Sequence, residues 1–169
     1  MKNAEYGLTE DLIFRSAVEY LKKKQPLQAE EYKMLSDECK AKAFTVSGYT
    51  SLEVLQTFLN ELTEACEQGK TKKEFMDSMN DFLERNGYVG LNPYKADVIF
   101  RTNIQTAYIA GHYKSMTDPT TVKLRPFWKY VTAGDGEVRE THAMMEGRIY
   151  RADDPIWDVW YPPNGFRCR

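Results

Sequence analysis

The feature that most constrains this chain is a change of texture at Pro119. Before it, apolar residues recur at helical spacing between paired start and stop signals. After it come aromatic and β-branched residues, short charged turns and a Pro162-Pro-Asn-Gly165 turn. A chain patterned this way folds as helices first and a small mixed unit afterwards. The predicted class is α+β: a mostly helical N-terminal part of about five helices, the long one included, with a small mixed α/β cap, divided into a helical region over residues 1–90 and a unit of long helix plus cap over residues 91–169.

The helical part can be read signal by signal. Thr9 is placed to cap the first helix, with Leu8 and Ile13 as a hydrophobic staple. Leu12, Ile13, Ala17, Val18 and Leu21 share a face, and Pro26 marks the break. A second helix is expected from Gln28 to Ala43, with Tyr32, Leu35 and Cys39 on one side. Thr50 and Glu53 form a capping box for a third, striped by Leu55, Phe58, Leu59, Leu62 and Cys66 and stopped at Gly69. Thr71 and Glu74 repeat the box before Phe75, Met79, Phe82 and Leu83, and Gly87 ends that helix. Asn92-Pro93 starts a long helix that runs to about Met116 and stops at Asp118-Pro119.

In the cap, Val122–Val131 alternates and predicts a strand. Ala133–Gly136 is a turn, Glu137–Glu146 a short helix closed by Gly147, and Arg148–Arg151 a second strand. An Asp153-Asp-Pro155 turn follows, then a third short strand over Trp157–Tyr161.

Charge and cysteine usage narrow the function. Net charge is −2, so no global positive field holds nucleic acid, and any DNA contact must be local and weak. The clusters Lys22–Lys24 and Lys70–Lys73 are explained by helix ends. Cys39, Cys66 and Cys168 are an odd count at wide spacing, which suits a reducing cytoplasm rather than a disulfide framework. There is no apolar run of membrane-spanning length and no apolar signal-peptide core at the N-terminus, so no membrane partner is expected.

The last third also resembles a known family. Arg101-Thr-Asn103, Ala107, Tyr108 and Gly111 on the long helix, then Trp128, Tyr130, Asp135, Arg139, His142, Gly147, Asp154-Pro155, Trp157, Pro162-Pro163-Asn164-Gly165 and Cys168, look like the phage Mu F-like head morphogenesis (minor head protein) family. The resemblance implies a structural component of tailed-phage heads. It implies portal or capsid proteins as partners, assembly in the host cytoplasm followed by residence in the virion, and no cofactor. Two positions depart from the family pattern. Ile156 stands where Phe is commoner, and the chain closes on Cys168-Arg169 where relatives continue to a second cysteine, which suggests a trimmed or processed chain.

Two readings of the cap residues compete. In the catalytic one, His142 is a general acid or base, Asp135 or Asp154 orients it, and Arg139 steadies a phosphoryl group, giving a nuclease-like or effector module. In the structural one, Asp135 and Arg139 bridge their turn, while His142 donates to a backbone carbonyl and packs on Trp157. Zinc would need more than His142 and Cys168, so no metal is expected. Arg101 interrupts an apolar helix face, and a buried pair with Asp135 or Asp154 would tie helix to cap. Trp128, Trp157 and Trp160 read most simply as the cap's core.

Overall fold

The computed structural model describes the backbone of residues 3–163 and the side chains of residues 12–163. Helix α1 spans Asn3–Lys22. It runs through Thr9 without interruption, so the predicted cap there is not one. A two-residue parallel bridge then pairs β1, Gln25–Pro26, with β2, Ala43–Phe44. Between them the single predicted helix is two short ones, α2 over Ala29–Lys33 and α3 over Asp37–Lys40. Met34 ends the first and Ser36 starts the second. Neither helix buries a residue, so no apolar face holds them in one piece.

Helix α4 covers Leu52–Gln68. Its cap is Ser51, one residue past the predicted Thr50, and the Ser51 hydroxyl accepts the Val54 amide. Gly69 ends the helix at φ 68°, a left-handed conformation that glycine adopts without steric cost. Helix α5, Lys72–Arg85, has the predicted box: Thr71 Oγ1 accepts the Glu74 amide at 3.3 Å and Glu74 Oε2 accepts the Thr71 amide at 2.7 Å. Helix α6, Pro93–Met116, opens as predicted, with Asn92 Oδ1 accepting the Lys95 amide at 2.8 Å.

These helices share one core. Phe58, Leu62, Phe75, Met79 and Leu83 of α4 and α5 meet Leu21 of α1 and Ala96, Ile99 and Ala107 of α6, all buried. The α1–α6 pairing is the most extensive in the fold. It depends on Gly111: a Cβ there would lie 2.4 Å from the Ile13 carbonyl oxygen. Glycine lets the two backbones touch.

After α6 the structure departs further from the sequence reading. Asp118 Oδ1 accepts the Thr120 amide and opens α7, Pro119–Leu124, so the first half of the predicted Val122–Val131 strand is helical. Only Phe127–Lys129 is strand, β3. It pairs antiparallel with β4, Ile149–Arg151, in the register Phe127↔Arg151, Trp128↔Tyr150 and Lys129↔Ile149. Between them, α8 is confined to Glu140–Ala143. The predicted third strand is helix α9, Ile156–Trp160. The Asp154 carboxylate accepts the Ile156 amide at 2.9 Å and turns the chain into it. Its aromatic composition looked strand-like, but the Asx turn and Pro155 set a helical start.

Candidate functional site

The cap has a small core of its own, made almost entirely of rings. Alternation along β3 points Trp128 inward between the exposed Phe127 and Lys129. Its cross-strand partner, Tyr150, shares the inner face. Trp157 arrives from α9, 5.4 Å from the Trp128 ring and 6.0 Å from Tyr150. The Trp157 indole N–H donates to the Arg151 carbonyl at 2.8 Å. Tyr130, Met145 and Trp157 are buried with Trp128.

Long helix and cap meet through three residues that the sequence reading passed over. Tyr161 lies edge-on to Tyr113 of α6 at 4.6 Å and to Trp128 at 5.7 Å. Its hydroxyl is 2.8 Å from Nδ1 of His112, also on α6. Burial, with the Tyr113 phenol beside it, pushes the Tyr161 hydroxyl up to about 12, and burial lowers the His112 imidazole. The available signal was spacing: Tyr113 follows Ile109 by four residues and sits at the cap end of the helix.

Arg101 is not part of this joint. It is exposed and pairs with Asp97 one turn back, Nε to Oδ1 at 3.0 Å, rather than with Asp135 or Asp154. The reason is distance along the helix. Tyr113 is twelve residues on from Arg101, about 18 Å at 1.5 Å per residue.

His142 lies between Tyr130 and Trp160, edge-on to both at 6.3 and 5.9 Å. The Tyr130 hydroxyl is 3.2 Å from its Nδ1. The predicted ring contact is therefore with Trp160, not Trp157, and the predicted carbonyl partner is a phenol. His142, Arg139 and Asp135 do line one open cleft of about 90 Å³, together with Glu137, Thr132 and Pro162. Asp135 Oδ1 accepts the Glu137 amide at 3.1 Å, and both Asp135 and Arg139 are partnered. Glu146 braces the other wall: it accepts the Thr132 amide at 2.6 Å, and its bonds to Thr132 hold its carboxyl below the ordinary range. Asp154 serves the α9 turn and is not among the residues lining this cleft. Among the described residues no three His, Cys, Asp or Glu side chains cluster to hold a metal ion. Asn164, Gly165 and Cys168 lie outside the described residues.

The profile of the family described as Phage Mu protein F like protein matches residues 56–169. The chain belongs to the Phage Mu F-like family. The protein named as a capsid assembly protein F in Escherichia phage Mu is 34% identical over 154 residues, covering 82% of this chain and 34% of that protein. The Mu-like prophage FluMu F protein of Haemophilus influenzae is 36% identical over 141 residues, covering 76% of this chain and 34% of its own length. The chain thus spans about a third of the length of these F-like relatives. No solved structure matches.

The family match begins inside α4 and runs through α6 and the cap. It therefore takes in both ring clusters and the shared helix between them. Helix α6 contributes Ala96, Ile99 and Ala107 to the helical core, while Met116 at its far end packs on the cap. No helix among the described residues is long and apolar enough to cross a membrane.

Proposed function

We propose that this chain acts in phage head morphogenesis as a structural component, joining the procapsid through portal or capsid proteins. The observation that carries this reading is the family match, which covers the long helix and the whole described cap. A relative named for capsid assembly supports it. So does the use the cap makes of its polar residues. Trp157 N–H, Asp154 and Glu146 are spent on closing turns and joining strands. On this reading α6 belongs to the F-like unit, residues 91–169, and packs it against the helical unit, residues 1–90. Arg101, Trp128, Asp135, Arg139, His142, Asp154, Trp157 and Pro163 shape the F-like unit. Assembly takes place in the host cytoplasm and the product is carried in the head. The test is co-expression with the portal and capsid proteins of the same phage. The chain is expected in purified heads, and its absence from them refutes the proposal.

A second reading has one observation in its favour: His142, Arg139 and Asp135 share a cleft. A nuclease-like activity would use His142 as acid or base with Arg139 on the phosphate. Against it, His142 is held by Tyr130 and flanked by two rings, the Asp135 carboxylate accepts the Glu137 amide, and Arg139 is itself engaged. Incubation of the protein and of His142→Ala with RNA and DNA decides the point. Cleavage by the unaltered chain alone establishes the activity, and cleavage by neither form removes it.

A further inference from the structure

The two-stranded sheet of the cap has an edge that pairs with no other backbone among the described residues. Antiparallel ladders alternate between residues that face their partner with backbone bonds and residues whose N–H and C=O point away. The Ala152 amide donates to the Pro126 carbonyl and the Tyr130 amide to the Arg148 carbonyl. In the register of β3 and β4, Trp128 and Tyr150 therefore face each other with their backbone bonds. Phe127 and Lys129 must then turn their backbone groups outward. The corresponding edge of β4 is already occupied, because the Arg151 carbonyl accepts both the Asp154 amide and the Trp157 indole.

The open edge carries a definite chemistry. Phe127 is 61% exposed and Val131 65%, and Ile149 across the ladder is 62% exposed. Between them stands Lys129. Lys123 and Arg125 precede it on the same segment, which reads Lys123-Leu-Arg125-Pro-Phe127-Trp-Lys129. None of these three cations has a carboxylate within ion-pair distance among the described residues; Glu146 acts on Lys129 only at longer range. Cations on a free edge repel a second copy of the same edge, so self-pairing is disfavoured. They attract an acidic strand.

We infer that β3 is a docking edge for an extended, acidic–apolar segment of a partner protein, added as a third strand beside Phe127 and Lys129. On the face it shares with Phe127, Lys129 and Val131, an acidic residue meets Lys129 and the apolar residues two places to either side cover Phe127 and Val131. The inference rests on the assembly reading only for the setting in which such a partner is met. The free amides and the apolar–basic alternation favour a peptide backbone over nucleic acid, which has no amide ladder to pair.

The test uses the full chain and a fluorescein-labelled peptide whose every second residue, all on one face, reads valine, glutamate, valine, with threonine between them. Anisotropy should show saturable binding. The same peptide with lysine in place of glutamate should not bind, and Arg125→Gln combined with Lys129→Gln should weaken binding about tenfold. These side chains are exposed, so an unchanged melting temperature shows that the variant is folded. Hydrogen exchange supplies the second measurement: the amides of Phe127 and Lys129 should become protected on binding. Failure of the acidic peptide to bind, equal binding of the basic one, or binding without protection of those two amides each overturns the inference. So does a self-associating chain whose dimer protects the same amides, or tighter binding of an oligodeoxythymidine lost steeply with salt. All of these results leave incorporation into heads unaffected, so the assembly reading stands or falls separately.

Discussion

Trp157 is a central side chain of the cap's core. It is 6% exposed, touches two inward rings and closes the Arg151 carbonyl. Trp157→Ala should destabilise the cap by about 3–5 kcal/mol, seen as loss of near-UV dichroism and a lower melting temperature. An unchanged melting temperature would mean the ring is not core. The His112–Tyr161 contact predicts a pH dependence. Burial lowers the His112 pKa, so the folded chain binds this proton less readily than the unfolded one. Stability is then full above the unfolded value of about 6.5 and declines as pH falls from there through the folded pKa. Chemical denaturation between pH 7 and pH 5 should show this slope, and it should flatten in His112→Gln. His112 is exposed overall, so the effect is expected to be small. At this scale the sequence pointed to Trp128, Trp157 and Trp160 as the cap's core; the first two are buried and Trp160 packs half-buried against them, while Tyr130 and Met145 complete the cluster. The sequence placed Arg101 wrongly, because position along a helix is not visible without knowing where the cap sits.

At the scale of elements, the sequence was legible where a chemical signal sits at a fixed offset. The Thr71/Glu74 box and the Asn92-Pro93 start were read correctly because each names its own hydrogen bond. Thr71→Ala should cost about 1 kcal/mol, measured by urea denaturation. Composition was the weaker guide. Val122–Leu124 and Trp157–Trp160 look like strands by residue type, yet Asp118-Pro119 and Asp154-Pro155 initiate helices over them. The two-residue bridge of β1 and β2 had no pattern long enough to be seen. Gly111 was legible only as a family position, and its reason is packing. Gly111→Ala gains about 1 kcal/mol of helix propensity, but the new Cβ would meet the Ile13 carbonyl oxygen at 2.4 Å. Backbone must move, at about 1–3 kcal/mol, so α1 and α6 separate and the melting temperature should fall. A rise would show that α1 can slide without loss.

For the whole molecule, the α+β class and the family were both recoverable from sequence, because the turn residues and tryptophans after Asp135 keep a distinctive order. The site was only half recoverable. His142, Arg139 and Asp135 do share a cleft, but the tyrosine that holds the imidazole and the second ring beside it come from elements whose placement only the fold reveals. The molecule that results has two cores joined by one helix, with polar groups of the cap committed largely to holding its turns. On the proposed reading this cap is a folded part used to build a phage head, with no substrate turned over. The measurement that tests it most directly is quantitative mass spectrometry of purified heads assembled with the unaltered chain, His142→Gln and Trp157→Ala. The first two should be incorporated to the same level and Trp157→Ala should be depleted. Absence of the unaltered chain, or full incorporation of Trp157→Ala alongside loss of His142→Gln, would contradict that reading.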